Sequence, residues 1–215
     1  MAAISDPTRL VLQSILASQS PQALPQQRKD AVALLEQFKR ADVSSLLPVC
    51  GALVSVQQLA GLAAQYGVML GATDVVGVRM AAFQLLTDVA RNRWRELNPD
   101  QRMAATRLAW QEFTEAVSPS GAGGADGAGA SGAGGSYPLR GKAAELLAVV
   151  VRQQGSAAYA EILPQLMTGA AAGPSQAELS CRVLHYISED LTQFEVNGPG
   201  LRCRPSSRPP ATAPW

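Results

Sequence analysis

Apolar positions recur at helical spacing along most of the chain, and residues 78–99, VRMAAFQLLTDVARNRWRELNP, show the pattern most completely. At 3.6 residues per turn, Val78, Ala82, Leu85, Leu86, Val89 and Leu97 fall on one stripe. Met80, Phe83 and Trp94 add a second apolar edge, and Gln84, Asp88, Arg91 and Arg95 step by four, three and four into one polar ridge. A helix of this kind has neighbours on two flanks and one face in water, as the inner helices of a stacked array do.

The same spacing predicts further helices on either side. Ser5 or Asp6 can cap the first, with Pro7 in its first turn, where a missing amide hydrogen costs nothing. Leu10, Val11, Ile15 and Leu16 form its stripe. A second helix carries Ala31, Leu34, Leu35 and Phe38, and a third begins near Asp42, with Pro48 making it start late or bend. Residues 56–74 are small, apolar and glycine-bearing, with too little periodicity to place. Asn98, Pro99 and Gln101 form a stop-and-restart signal: a cap, a first-turn proline and a capping-box partner. The helix they open carries Thr106, Ala109, Trp110, Phe113 and Val117. Beyond residues 118–136, Leu139 to Val151 predict a helix that stops at Gly155, Tyr159 to Leu166 another, and Pro174 opens the last. That last helix sets Ser180, Val183, Leu184, Ile187, Leu191 and Phe194 against a ridge of Glu178, Arg182, His185, Glu189 and Gln193.

The total is about eight helices in pairs with no surviving strand signal. Pairs spaced some forty residues apart suit an all-α, HEAT-like solenoid of about four repeats, whose units run to about 40–47 residues. The helical unit covers 5–194. Within it, 118–136 is a flexible linker by its glycine content, and 195–215, rich in proline and arginine, is expected to be a disordered tail.

Composition narrows the function. A formal net charge of +1 provides no strong global field for nucleic acid or membrane. Three cysteines, Cys50, Cys181 and Cys203, are odd in number and far apart, which argues against a disulfide framework and suits a reducing compartment. The first ten residues, MAAISDPTRL, lack the basic and apolar runs of a signal peptide, and no apolar run approaches bilayer length. A soluble intracellular protein is the expectation.

Candidate chemistry is sparse. Cys181 and His185 are four apart on one helix, but no second ligand pair accompanies them, so no metal site is expected. Gly127, Gly129 and Gly132 match G-x-G-x-x-G spacing inside a glycine tract, without the strand that gives that motif meaning, and no cofactor is expected. Ser131, in GAGASGAGG, is no nucleophile elbow, and the acids are scattered along helix faces. Catalysis is not expected. Trp94, Trp110 and Tyr159 read as core residues rather than base-stacking platforms.

Three blocks carry a more specific signal: RKDAVALLEQFKRADV; the 78–99 helix with its R-x-R-W ending, Arg93 and Trp94; and LRGKAAELLAVVVRQQG, YAEILPQL and GPSQAELSCRVLHYISEDLT. In order and spacing they resemble the N-terminal repeats of the exportin five family and its plant HASTY branch, within the importin-beta superfamily. The resemblance runs from Leu10 to Phe194. It departs at 56–74, longer than the family's turn, and at the glycine linker.

The resemblance implies the front of a nuclear export receptor that shuttles between nucleus and cytoplasm. Its second helices would line a concave face that receives Ran-GTP, with small structured RNA or protein as cargo and nucleoporins as further partners. Those lining helices map to 28–40, 78–97, 140–152 and 176–194. Arg28, Lys29, Gln84, Asp88, Arg91, Arg95, Arg182 and Glu189 are the candidate Ran-binding residues, chosen by helical position together with the family's mode. A solvated charged face is the alternative for any one of them, and a truncated helical scaffold without transport activity is the alternative for the chain. A solenoid cut at this point is also expected to expose an apolar flank near Val183, Ile187 and Leu191.

Overall fold

Capped turns divide the chain into helices that pair in sequence order. The computed structural model describes residues 6–117 and 137–197, with backbone alone over 190–197. Among the described residues there are nine α-helices, one 3-10 turn and no strand. The linker at 118–136, including its glycine motif, lies outside them, as does the tail beyond Asn197. Residues 195–197 continue the last helix rather than opening a tail.

The start signals act where the sequence places them. Asp6 caps α1 (Pro7–Gln19), its Oδ1 accepting from the Thr8 amide at 2.9 Å. The Leu24 amide donates to Gln27 Oε1 at the entry of α2 (Pro25–Lys39). α3 (Val43–Val54) runs through Pro48 from near Asp42, so it does not start late. Residues 56–74, unplaced by periodicity, contain α4 (Val56–Tyr66), which leaves α3 at an angle of 97° and ends on Gly67 at a positive φ of 65°.

The organising helix is displaced relative to its sequence reading. α5 (Ala72–Asn92) begins six residues before Val78 and ends before Arg93, and Trp94–Glu96 form a separate 3-10 turn. A reciprocal capping box then opens α6 (Pro99–Val117): the Asn98 amide donates to Gln101 Oε1 and the Gln101 amide to Asn98 Oδ1, each at 2.9 Å. α7 (Tyr137–Gln154), α8 (Ser156–Ala172) and α9 (Pro174–Asn197) complete the order. α7 stops at Gly155, whose φ of 90° glycine adopts without strain.

α1 packs on α2, α3 on α5, α6 on α7 and α8 on α9, so the helices form four successive pairs. The second helices also pack on one another, α5 on α7 and α7 on α9, while α1 meets α3 and α3 meets α6 in the other layer. This two-layer stacking is that of a HEAT-like solenoid. Its most enclosed member is α7, with Leu139, Leu146, Leu147, Val149, Val150 and Val151 all buried. No single described helix is long and apolar enough to cross a membrane. Val183 and Ile187 are buried, so they form no exposed apolar flank; the side chain of Leu191 lies outside the described set. On α8, Tyr159 and Met167 are the exposed large apolar residues.

Specific polar contacts fix the pairs in register. Arg93 donates to the Lys39 and Ala41 carbonyls at 2.8 Å each, tying the end of α2 to the exit of α5, while Trp94 is buried beside it. Arg140 reaches the Ser175 carbonyl at 3.0 Å, and Gln176 donates to the Val117 carbonyl at 3.4 Å. The segments that carry the family resemblance therefore serve repeat architecture.

One contact of this kind is buried outright. Arg79 on α5 donates through Nε to the Val54 carbonyl at 2.6 Å and through its terminal nitrogen to Glu112 Oε2 of α6 at 2.9 Å. Its side chain is 4% exposed and that of Glu112 0%. Burial pushes the Glu112 carboxyl up to about 7, Arg79 pulls it down, and Glu115 adds to the rise.

Removing one partner strands the other charge. The guanidinium cannot shed its charge, so Glu112→Met should lose about 3–5 kcal/mol in urea unfolding, and Glu112→Met with Arg79→Met should recover at least half of the loss. A pH dependence follows from the raised carboxyl. Between about 4.5 and about 7 the unfolded chain releases this proton while the folded chain keeps it, so the Glu112 contribution to stability falls as pH rises and is level above that window. Unfolding measured from pH 5 to pH 7.5 should show that decline, on the order of 3 kcal/mol over the full titration, and Glu112→Gln should remove it.

Candidate partner-binding groove

An open groove of about 480 Å³ lies between α2, α5 and α7. Its apolar floor includes Ile15, Val32, Leu35 and Leu85, and its charged rim is formed by Glu36, Lys39, Asp88, Arg91, Lys142 and Glu145. α5 reaches this groove because its opposite side is committed to the core: Val78, Ala82, Phe83, Leu86 and Ala90 are buried, which turns Gln84 and Arg91 outward. Gly77 serves the same docking, since a Cβ there would collide with the Gln19 carboxamide, which donates to the Gly77 carbonyl at 3.2 Å.

The rim is a network of paired charges. Glu145, with a side chain 17% exposed, takes Lys142 at 2.7 Å and Arg91 at 3.6 Å. Asp88 accepts from Asn92 at 2.7 Å, and Lys39 pairs with Glu36 at 2.5 Å. Exposed pairs of this kind contribute little to stability, at most about 1 kcal/mol each. What they do is restrict where each charge sits. A partner meets a patterned surface of both signs around an aliphatic floor that includes the half-exposed Val32.

The residues singled out by sequence divide four ways. Gln84, Asp88 and Arg91 come together in the groove. Arg95 does not join them, because the helix ends at Asn92 and Arg95 belongs to the 3-10 turn. Arg28 and Lys29 stand exposed in the first turns of α2, with Arg28 Nε donating to the Ala23 carbonyl at 3.2 Å. Arg182 and Glu189 lie on α9: Arg182 pairs with Glu178 at 2.8 Å and stacks 4.5 Å over the Tyr137 ring, and Glu189 lies 3.3 Å from His185.

Lys39, Lys142 and Glu145 are groove residues that helical-wheel reasoning on α5 alone did not name. The signal available was positional: Lys142 and Glu145 sit three apart near the start of the predicted helix after the linker, outside its apolar stripe. Among the described residues, no group of three or more His, Cys, Asp or Glu side chains converges as metal ligands would. Cys50 is buried, which pushes its thiol up to about 12, and Cys181 is exposed; both are free.

The chain is similar to Protein HASTY 1 of Arabidopsis thaliana, 27% identical over 194 residues. The likeness is to the exportin five family, and it is distant. It covers 90% of this chain but only 14% of HASTY 1, so the chain spans about one seventh of that protein's length. No protein-family model matches the chain, and no solved structure does.

Proposed function

We propose that this chain is the N-terminal part of a nuclear export receptor that receives Ran-GTP on the layer formed by α2, α5, α7 and α9. In the full-length family such a receptor carries small structured RNA, precursor or mature microRNA, or protein cargo through the pore, meeting nucleoporins and shuttling between nucleus and cytoplasm. It binds and does not catalyse. The observation that supports this reading is the groove itself. It opens on the helices that the resemblance assigns to the Ran-facing surface, and it holds Gln84, Asp88 and Arg91 in one fixed, charge-patterned strip.

The physical basis is nucleotide sensing by shape. Switch segments of a small GTPase are ordered by the gamma-phosphate and released on hydrolysis, so a surface with fixed charge positions discriminates between the two states. A second reading has one observation in its favour, a rim of both charge signs around an aliphatic floor, which suits a folded protein partner whatever its nucleotide state. On that reading the chain is a helical scaffold that binds another protein through the same groove and lacks transport activity.

Nucleotide-selective association separates the two. The purified chain is mixed with Ran loaded with a non-hydrolysable GTP analogue or with GDP, and association is followed by light-scattering interferometry. The transport reading expects the GTP form to bind at least about tenfold more tightly, and Arg91→Glu to weaken it roughly tenfold by breaking charge complementarity. Arg95→Glu should have a smaller effect, and helicity should be unchanged in both variants. Equal or absent binding to the two nucleotide forms contradicts Ran recognition by this chain.

A further inference from the structure

A second groove, of about 470 Å³, opens between the 3-10 turn, the first half of α6 and the end of α7. It shares no lining residue with the first. Its walls are Trp94, Pro99, Arg102, Met103, Thr106, Arg107, Gln153 and Gln154, two cations with no carboxylate among them. Pro99, Arg102, Met103, Thr106 and Arg107 follow three-four spacing, so one face of α6 supplies most of the surface.

The arginines here differ from those that tie the helices together. Arg79, Arg91, Arg93, Arg140 and Arg182 each have an acidic partner. Arg102 instead donates to the Trp94 and Arg95 carbonyls at 3.3 Å each, and Arg107 meets only the Met103 sulfur at 3.1 Å, a weak acceptor. Arg95 is exposed on the adjoining turn, joined to the groove through its carbonyl. Each of the two glutamines commits one amide hydrogen, Gln154 to Thr106 and Gln153 to the Arg91 carbonyl. Among the described residues, positive charge without a counter-charge therefore borders a partly apolar trough, in which Met103 is 47% exposed.

We infer that this groove is a docking site for an acidic peptide segment of a partner protein, with carboxylates on Arg102, Arg107 and Arg95 and an aliphatic side chain against Met103 and Pro99. Charge complementarity sets the sign of the ligand, and guanidinium groups hold carboxylates through paired, charge-assisted hydrogen bonds. The apolar part of the trough favours a peptide over a nucleic acid. Trp94 is buried and offers no ring face for base stacking, and so few cations give only weak, salt-sensitive contact with phosphates. This site is independent of the Ran reading, because none of its residues lines the first groove.

The test uses the whole chain and a short fluorescein-labelled peptide of Asp and Glu around one central Leu, with binding read by anisotropy. Three further probes accompany it: the same peptide with Asn and Gln in place of the acids, the acidic peptide with Ser in place of Leu, and an oligouridylate of equal charge. The acidic peptide should bind, the amide version should not, and loss of the Leu should weaken binding several-fold. Arg107→Glu should weaken it by at least about tenfold, with Arg107→Gln intermediate, and Arg91→Glu should leave it unchanged. Thermal melts of each variant establish that the fold is intact. Absence of peptide binding, indifference to Arg107→Gln and Arg107→Glu, or tighter binding of the oligouridylate than of the peptide would overturn the proposal.

Discussion

The buried contact of Arg79 with Glu112 and the Val54 carbonyl is the constraint on which the arrangement of pairs depends. α3 and α4 meet at an angle of 97°, and such a break leaves carbonyls at the end of α3 without helical partners. Arg79 of α5 supplies a donor to one of them and extends to the carboxylate of α6. A single side chain thus spans α3, α5 and α6, joining the second helical pair to the third. Apolar packing alone tolerates sliding of one helix on another, whereas a hydrogen-bonded charge in a dry interior does not. This contact holds α5 against α6, while Arg93 ties the exit of α5 to the end of α2 on the other side of the groove.

Local signals in the sequence are easier to read than that constraint. Capping residues and stop signals act locally, so Asp6, the Asn98–Gln101 box and Gly155 place helix ends from sequence with little help from tertiary structure. Residues 56–74 were opaque because alanine and glycine dilute the periodicity, and α4 buries little beyond Leu59 and Ala63. The exit of α5 was misplaced for a related reason. Residues 78–99 keep helical spacing through Leu97, but Arg93 gives its guanidinium to the end of α2, and the chain turns there instead of continuing. Arg79 and Glu112 did leave a trace: each is a single charge within an apolar stripe, beside Phe83 and Ala82 in one helix and Ala109 and Phe113 in the other. Opposite charges set into two apolar stripes are a readable sign of a buried pair.

The candidate site was legible to a similar degree. Gln84, Asp88 and Arg91 share a surface because the opposite face of α5 is fully committed to the core, which a helical wheel captures. Arg95 left that surface with the end of the helix, and it now borders a second groove of different character. The first groove has charges of both signs, each tied to a neighbour; the second has arginines that no carboxylate meets among the described residues. Paired charges create a pattern that a protein surface can match in detail. Unpaired ones attract counter-charge with less demand on geometry. The two grooves therefore differ in kind, one patterned in both signs and the other cationic beside an apolar trough.

The central claim, that the layer of second helices receives a GTP-form small GTPase, is tested most directly by amide hydrogen exchange of the chain with and without Ran-GTP. The account predicts added protection over residues 32–39, 84–92 and 142–145, with residues 99–107 unchanged. Protection confined to 99–107, or none in the groove segments under conditions where the two proteins associate, would contradict it.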